Sequence, residues 1–226
     1  MLGISRSFMK FTTAVFDLDG TLTDTIDDLT DSVNFALSQF AFPKRERKEV
    51  ITFVGNGVRR LVSLSVPEGT DEETFEKVLA VFKDYYEEHS LVKTMPYKGI
   101  PELLKSLKSK GVKIAVVTNK VQSTANEVVN HFFPGIFDII IGQVDGRPQK
   151  PAPDGVFDAM SKSGADKRKT VYIGDSDVDC KTAKNADLPI IGVSWGFKGR
   201  EFLTSYGCDY IVDCPEEIER IIIEGE

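Results

Sequence analysis

The order of patterns along the chain predicts an α/β fold: a doubly wound parallel sheet with a helical domain inserted after its first strand. Three observations carry this reading. A short apolar run near the N-terminus stops at an acidic, glycine-containing turn. The segment 26–90 is patterned as helix throughout. From residue 96 onward, Val/Ile-rich runs alternate with segments of helix length.

Ala14-Val15-Phe16 followed by Asp17-Leu18-Asp19-Gly20-Thr21 reads as a buried strand ending in a loop. Ile26, Leu29, Val33, Ala36 or Leu37 and Phe40 then recur at helical spacing. Phe75, Val78, Leu79, Phe82 and Tyr86 do the same behind a capping box at Thr70 and Glu73. Gly55-Asn56-Gly57 reads as a tight turn between helices, since the third glycine and the strand–helix unit of a dinucleotide site are missing. The mixed charge run 44–49 reads as a solvated helix face. After Pro96 a helix from Ile100 to Lys110 stops at Gly111, a residue suited to a left-handed C-terminal turn. Apolar runs follow at 112–117, 137–141, 171–173 and 190–193. Runs apolar on both faces suit parallel strands sandwiched by helices. The expected domains are an α/β core over 1–24 and 96–226 and a helical insert over 25–95.

Composition narrows the function. The 226 residues carry 28 Lys+Arg against 35 Asp+Glu, a formal charge of −7. That acidic balance argues against nucleic acid as a partner, because release of counterions from a phosphate backbone needs a basic face. No apolar stretch approaches the roughly 20 residues of a membrane helix, and the first residues lack the apolar core of a signal peptide. Cys180, Cys208 and Cys214 form no CxxC pair. With only two histidines beside them, they read as reduced structural thiols in a cytoplasmic protein.

Four polar clusters fall directly after four of the predicted strands: Asp17-Leu18-Asp19-Gly20-Thr21, Thr118-Asn119, Lys150-Pro151-Ala152-Pro153, and Gly174-Asp175-Ser176-Asp177-Val178-Asp179. The carboxyl ends of parallel strands converge on one rim, so these distant residues can share a site. Carboxylates gathered there repel one another unless a cation intervenes, and hard oxygen ligands select Mg²⁺. Such a cluster suits a metal and an anionic substrate. Each cluster also has a plainer reading. The first could be an Asp/Gly turn, Thr118-Asn119 a helix cap, Lys150 a solvated lysine, and Asp175, Asp177 and Asp179 the acidic start of a helix.

In their order, the four clusters resemble the haloacid dehalogenase (HAD) superfamily, the first matching its opening motif as Phe16-Asp17-Leu18-Asp19-Gly20-Thr21-Leu22. The helical insert stands where that family places its cap. Within the superfamily the chain is most similar to the phosphoglycolate phosphatase group, through Val54-Gly55-Asn56-Gly57 with Leu61, Lys150-Pro151-Ala152-Pro153 and Gly174-Asp175-Ser176. The resemblance implies a Mg²⁺-dependent phosphomonoester hydrolase acting on a small phosphorylated metabolite such as 2-phosphoglycolate, with the cap setting specificity. It implies Asp17 as nucleophile and Asp19 as acid and then base. Asp17, the Asp19 carbonyl and Asp175 would hold the metal, with Asp179 behind them. Thr118, Asn119 and Lys150 would hold the phosphoryl oxygens.

Arg59 or Arg60, beside the cap turn, is expected to lend the substrate a cation, with Arg147 a lesser candidate. His89 and His131 have no part in this chemistry, and Trp195 and Phe197 read as packing aromatics near the rim. A β-phosphoglucomutase-type phosphomutase shares the same clusters. A dehalogenase has no need of Asp19, and a non-catalytic binding module on this fold would have lost some of these residues. The oligomeric state stays open between monomer and homodimer.

Overall fold

The structure is a computed structural model and describes residues 9–225. The chain divides into two compact units, Asp24–Met95 and the segments on either side of it. In chain order, β1 (Thr13–Phe16) and the short β2 (Thr23–Asp24) lead into α1 (Ile26–Ser38), α2 (Arg47–Phe53), α3 (Gly57–Ser65) and α4 (Glu72–His89). Then come β3 (Met95–Pro96), α5 (Ile100–Ser109), β4 (Lys113–Val121), α6 (Gln122–Phe132), β5 (Ile139–Gln143) and α7 (Asp154–Ser163). The chain ends with β6 (Thr170–Gly174), α8 (Asp177–Ala186), β7 (Ile190–Val193), α9 (Gly199–Tyr206), β8 (Tyr210–Val212) and α10 (Pro215–Ile223).

The larger unit is built on a six-stranded sheet of order β5-β4-β1-β6-β7-β8, in which every pairing is parallel. This is the doubly wound α/β core that the alternation of runs predicts. All four residues of β1 are buried, as a strand covered on both faces requires. Thr13 lies in register with Lys113 on one side and Thr170 on the other. The chain runs outward from β1 through β4 to β5, then returns to β6 on the opposite side of β1. Strand order therefore reverses at β1, the position where sheets of this kind open a crevice beyond the strand ends.

Several boundaries differ from expectation. β4 continues to Val121, so Thr118 and Asn119 lie within the strand, and α6 starts at Gln122. β5 begins at Ile139, with Phe137 left in the preceding turn, and edge strand β8 was not foreseen. Three residues, Tyr-Ile-Val, are too few to show a period. The helix start near residue 70 is shifted by one. Asp71, not Thr70, is the N-cap, and its carboxylate accepts from the Thr74 amide at 2.9 Å.

In the smaller unit α1 and α4 make the main packing, and Leu29, Val33, Phe75, Val78, Leu79 and Phe82 are buried. Asp28 is buried within this apolar unit. Its carboxylate accepts from the amides of Lys93 and Thr94 and from the Thr94 hydroxyl, at 2.8–3.0 Å. Such bonds offset the cost of taking a carboxylate out of water. The charge run is largely exposed, as expected, apart from the half-buried Arg45 and Glu49, but only residues 47–49 of it are helical, in α2; the Arg45 Nε donates to the Ser65 carbonyl. Among the described residues no helix is long and apolar enough to cross a membrane.

Candidate active site

Three neighbouring strands deliver the site. Beyond β1 the backbone still pairs through the Asp17 amide, which donates to the Ile173 carbonyl at 2.9 Å. The chain then turns sharply, with the amides of Leu22 and Thr23 donating to the Leu18 carbonyl. Gly20, at φ +87°, makes this turn possible, and a Cβ there would also fall 2.6 Å from an Asp175 oxygen. Gly196 leaves room from the other side: its Cβ would fall 2.2 Å from that of Asp175. Asp175 is thus wedged between two backbone segments. It accepts from the Thr21 hydroxyl at 3.3 Å and from the Phe197 amide at 2.8 Å. Trp195 donates its indole N–H to the Thr21 carbonyl at 3.1 Å. The segment 195–197 therefore supports the site directly, more than the packing role its aromatics suggest.

Lys150 is buried, which removes the solvated-lysine reading. Its ammonium has three donors, and the structure gives it three partners: Asp17 Oδ1 at 2.7 Å, Asp179 Oδ1 at 2.8 Å and the Tyr172 hydroxyl at 3.1 Å. Asn119 fastens the loop that carries Lys150. Its Nδ2 donates to the Lys150 carbonyl at 3.0 Å, and its Oδ1 accepts from the Lys150 amide at 2.8 Å. Thr118, also buried, accepts from the Lys120 amide at 3.2 Å.

Asp17, Asp175 and Asp179 have oxygens all within 4.8 Å of one another. Asp179 is fully used. Oδ1 takes Lys150 and Tyr172, while Oδ2 accepts from the amides of Asp175 and Ser176 and from the Ser176 hydroxyl. With Ser176 it forms a reciprocal cap on α8, so the acidic start of that helix and the site are one structure. Asp177 faces outward to Lys181 at 2.7 Å. Three buried carboxylates beside one ammonium leave surplus negative charge, and Asp17 and Asp175 retain capacity to bind. That donor set, all oxygen, fits a hard divalent cation such as Mg²⁺.

The electrostatics follow the same imbalance. Burial, then the charge of Asp179, pushes Asp17 up to about 7 against the pull of Lys150. Burial, then the charges of Asp179 and Asp17, hold Asp175 well above the usual carboxylate range. For Lys150 burial works against the charge, but Asp17 and Asp179 outweigh it and keep the ammonium well above its ordinary value. Asp19 lies apart from this cluster and pairs with Lys120 at 2.9 Å.

Arg147 donates to the Gly142 carbonyl and pairs with Asp158 at 3.2 Å. Arg59, in the smaller unit, pairs with Glu72 and Glu76 and lies over the Phe75 ring, 4.9 Å from its centroid. Arg60 is exposed and its side chain makes no ion pair among the described residues. His89 stacks on Tyr85, and His131 lies edge-on to Phe132. Sequence reasoning missed Lys120, Tyr172 and Gly196. Lys120 had a visible signal, a charge inside a strand next to Thr118-Asn119.

A parallel core with carboxylates at the switch point defines a class of enzyme, and comparison with known proteins supplies the family. Residues 14–193 match the model of the haloacid dehalogenase-like hydrolases. The phosphoglycolate phosphatase of Aquifex aeolicus is 31% identical over 209 residues, covering 92% of this chain and 95% of that protein. Pyrophosphatase PpaX of Halalkalibacterium halodurans is 29% identical, covering 95% and 98%. A solved structure from Lactobacillus delbrueckii subsp. bulgaricus matches with a TM-score of 0.90 at 38% identity, over 96% of this chain and all of that one. The chain belongs to the haloacid dehalogenase-like hydrolases and is a phosphatase of that family.

Proposed function

We propose that the protein is a Mg²⁺-dependent phosphomonoester hydrolase that works through an aspartyl-phosphate on Asp17, with 2-phosphoglycolate as the first substrate to test. The observation that carries this reading is the buried Asp17–Lys150 pair at 2.7 Å, with a second acid, Asp19, two residues on. Lys150 takes one oxygen of Asp17 and leaves the other to attack phosphorus. The P–O bond to the leaving group breaks as the Asp17–P bond forms, and Asp19 gives its proton to the departing oxygen. Asp19 then takes a proton from the water that hydrolyses the intermediate. Lys150, Thr118 and the Asn119 backbone hold the transferring oxygens.

Asp17, the Asp19 carbonyl and Asp175 would hold Mg²⁺, and Asp179 would orient Lys150 and α8 behind them. When bound, the ion supplies positive charge that lets a carboxylate approach a phosphate dianion. The unit Asp24–Met95 would serve as the specificity cap, and of the adjacent pair Arg59 and Arg60 it is Arg60 that is available to a substrate, since Arg59 is engaged by Glu72 and Glu76. The two families of relatives differ in substrate, so the test is a panel. Phosphate release is measured from 2-phosphoglycolate, hexose phosphates and pyrophosphate, with Mg²⁺, with EDTA, and with Asp17→Asn. Metal-dependent release abolished by the substitution is expected, with 2-phosphoglycolate ranked first. A sugar bisphosphate product with little free phosphate would point to a phosphomutase, and no product from any ester would refute the enzyme reading.

A further inference from the structure

A proton donor must be aimed, and Asp19 lies on a turn outside the regular sheet. The neighbour that holds it is Lys120. β4 runs on past Thr118, through an irregularity in its pairing with β5 between Val117 and Val121, and Lys120 lies within that stretch. The Lys120 side chain is only 3% exposed, and its Nζ lies 2.9 Å from Asp19 Oδ1. A desolvated ammonium is costly without a carboxylate beside it, and the Asp19 side chain is itself only 16% exposed.

The backbone under the pair is fixed. Thr118 Oγ1 accepts from the Lys120 amide, and the intervening Asn119 grips the Lys150 backbone in both directions. Two consecutive residues of one strand thus secure two loops, Asn119 holding Lys150 and Lys120 holding Asp19.

We propose that Lys120 is a positioning residue: it holds the Asp19 carboxyl in the orientation from which it exchanges a proton with the leaving oxygen. The proposal rests on the phosphatase reading above, and its test separates the two. An alkyl phosphate needs its leaving oxygen protonated, whereas p-nitrophenolate leaves without help. The ratio of kcat/KM for 2-phosphoglycolate (or the best alkyl ester of the panel) to that for p-nitrophenyl phosphate therefore reports the proton donor. Measured on a single preparation, the ratio does not depend on how much of it is folded.

For Lys120→Met and Lys120→Gln the alkyl kcat/KM should fall about 10- to 100-fold while the aryl value stays within about threefold. Asp19→Asn should show the same selectivity with a larger fall. Equal losses on both esters, or no loss on either, would overturn the role of Lys120 while leaving the phosphatase standing, provided Asp17→Asn is inactive and Asp19→Asn is selective. An active Asp17→Asn would overturn the phosphatase reading and the proposal with it.

Discussion

Replacing Asp17 by Asn removes a carboxyl that burial makes hard to ionise in the metal-free protein. Burial and Asp179 hold it at about 7 in the folded state, against an ordinary value of 3.8. The folded chain therefore binds this proton more tightly than the unfolded chain does. The resulting stability is fully present below about pH 4 and is lost as pH rises through about 7. At about 1.36 kcal/mol per pH unit, the interval bounds the loss at about 4 kcal/mol. For a chain of this size that is about 8–16 °C in Tm. The assay is thermal unfolding of EDTA-treated wild type and Asp17→Asn, from about pH 4 to about pH 8. Wild type should match the variant at the acid end and fall behind it by about 10 °C at the alkaline end, because only wild type must bury the charge. Millimolar Mg²⁺ should close that gap at the alkaline end, the cation taking the place of the proton. A Tm difference independent of pH would show that Asp17 is not held protonated by its surroundings, and the charge accounting of the site would fail with it.

Two further substitutions probe the frame around the cluster. Tyr172→Phe deletes the hydroxyl shared by Lys150 and Asp179 while keeping the buried ring; stability should drop by about 1–2 kcal/mol in thermal unfolding and kcat about fivefold or more, with KM little changed. Gly196→Ala places a methyl 2.2 Å from the Asp175 Cβ and 2.5 Å from the Gly20 carbonyl, so it should cost about 1–3 kcal/mol and weaken Mg²⁺ affinity in titration calorimetry.

What the sequence revealed and what it hid divide along physical lines. The four clusters were legible because each sets polar residues, charged in three of the four, beyond an apolar run, a local contrast visible without coordinates. The α4 face, from Phe75 to Tyr86, was legible because five apolar residues keep one helical period, and all five are buried. Tyr172 was hidden because a phenol inside a Val/Ile run looks like core, and its hydroxyl gains meaning only from a lysine 22 residues away. Gly196 was hidden because a glycine in a loop is ordinary until Asp175 is seen pressed against it. The boundary of β4 was misjudged because Thr118, Asn119 and Lys120 are polar yet buried, stabilised by partners in other loops. The partners of Arg59 were hidden because Glu72 and Glu76 become its neighbours only when α3 packs on α4.

The three donors gathered on the Asp28 carboxylate have a consequence for how such a protein could arise. Asp28 stands at the start of the smaller unit and Thr94 at its end, so one buried carboxylate fastens the first turn of α1 to the last residues before the chain departs. A segment whose two ends are clasped in this way asks little closure entropy of its host, whatever its internal length. It can be lengthened, reshaped or exchanged for another segment with the same clasp while the sheet and its carboxylates keep their places. Asp28 thus gives the inserted segment a clasp of its own, one that holds its two ends together whatever the chain between them becomes.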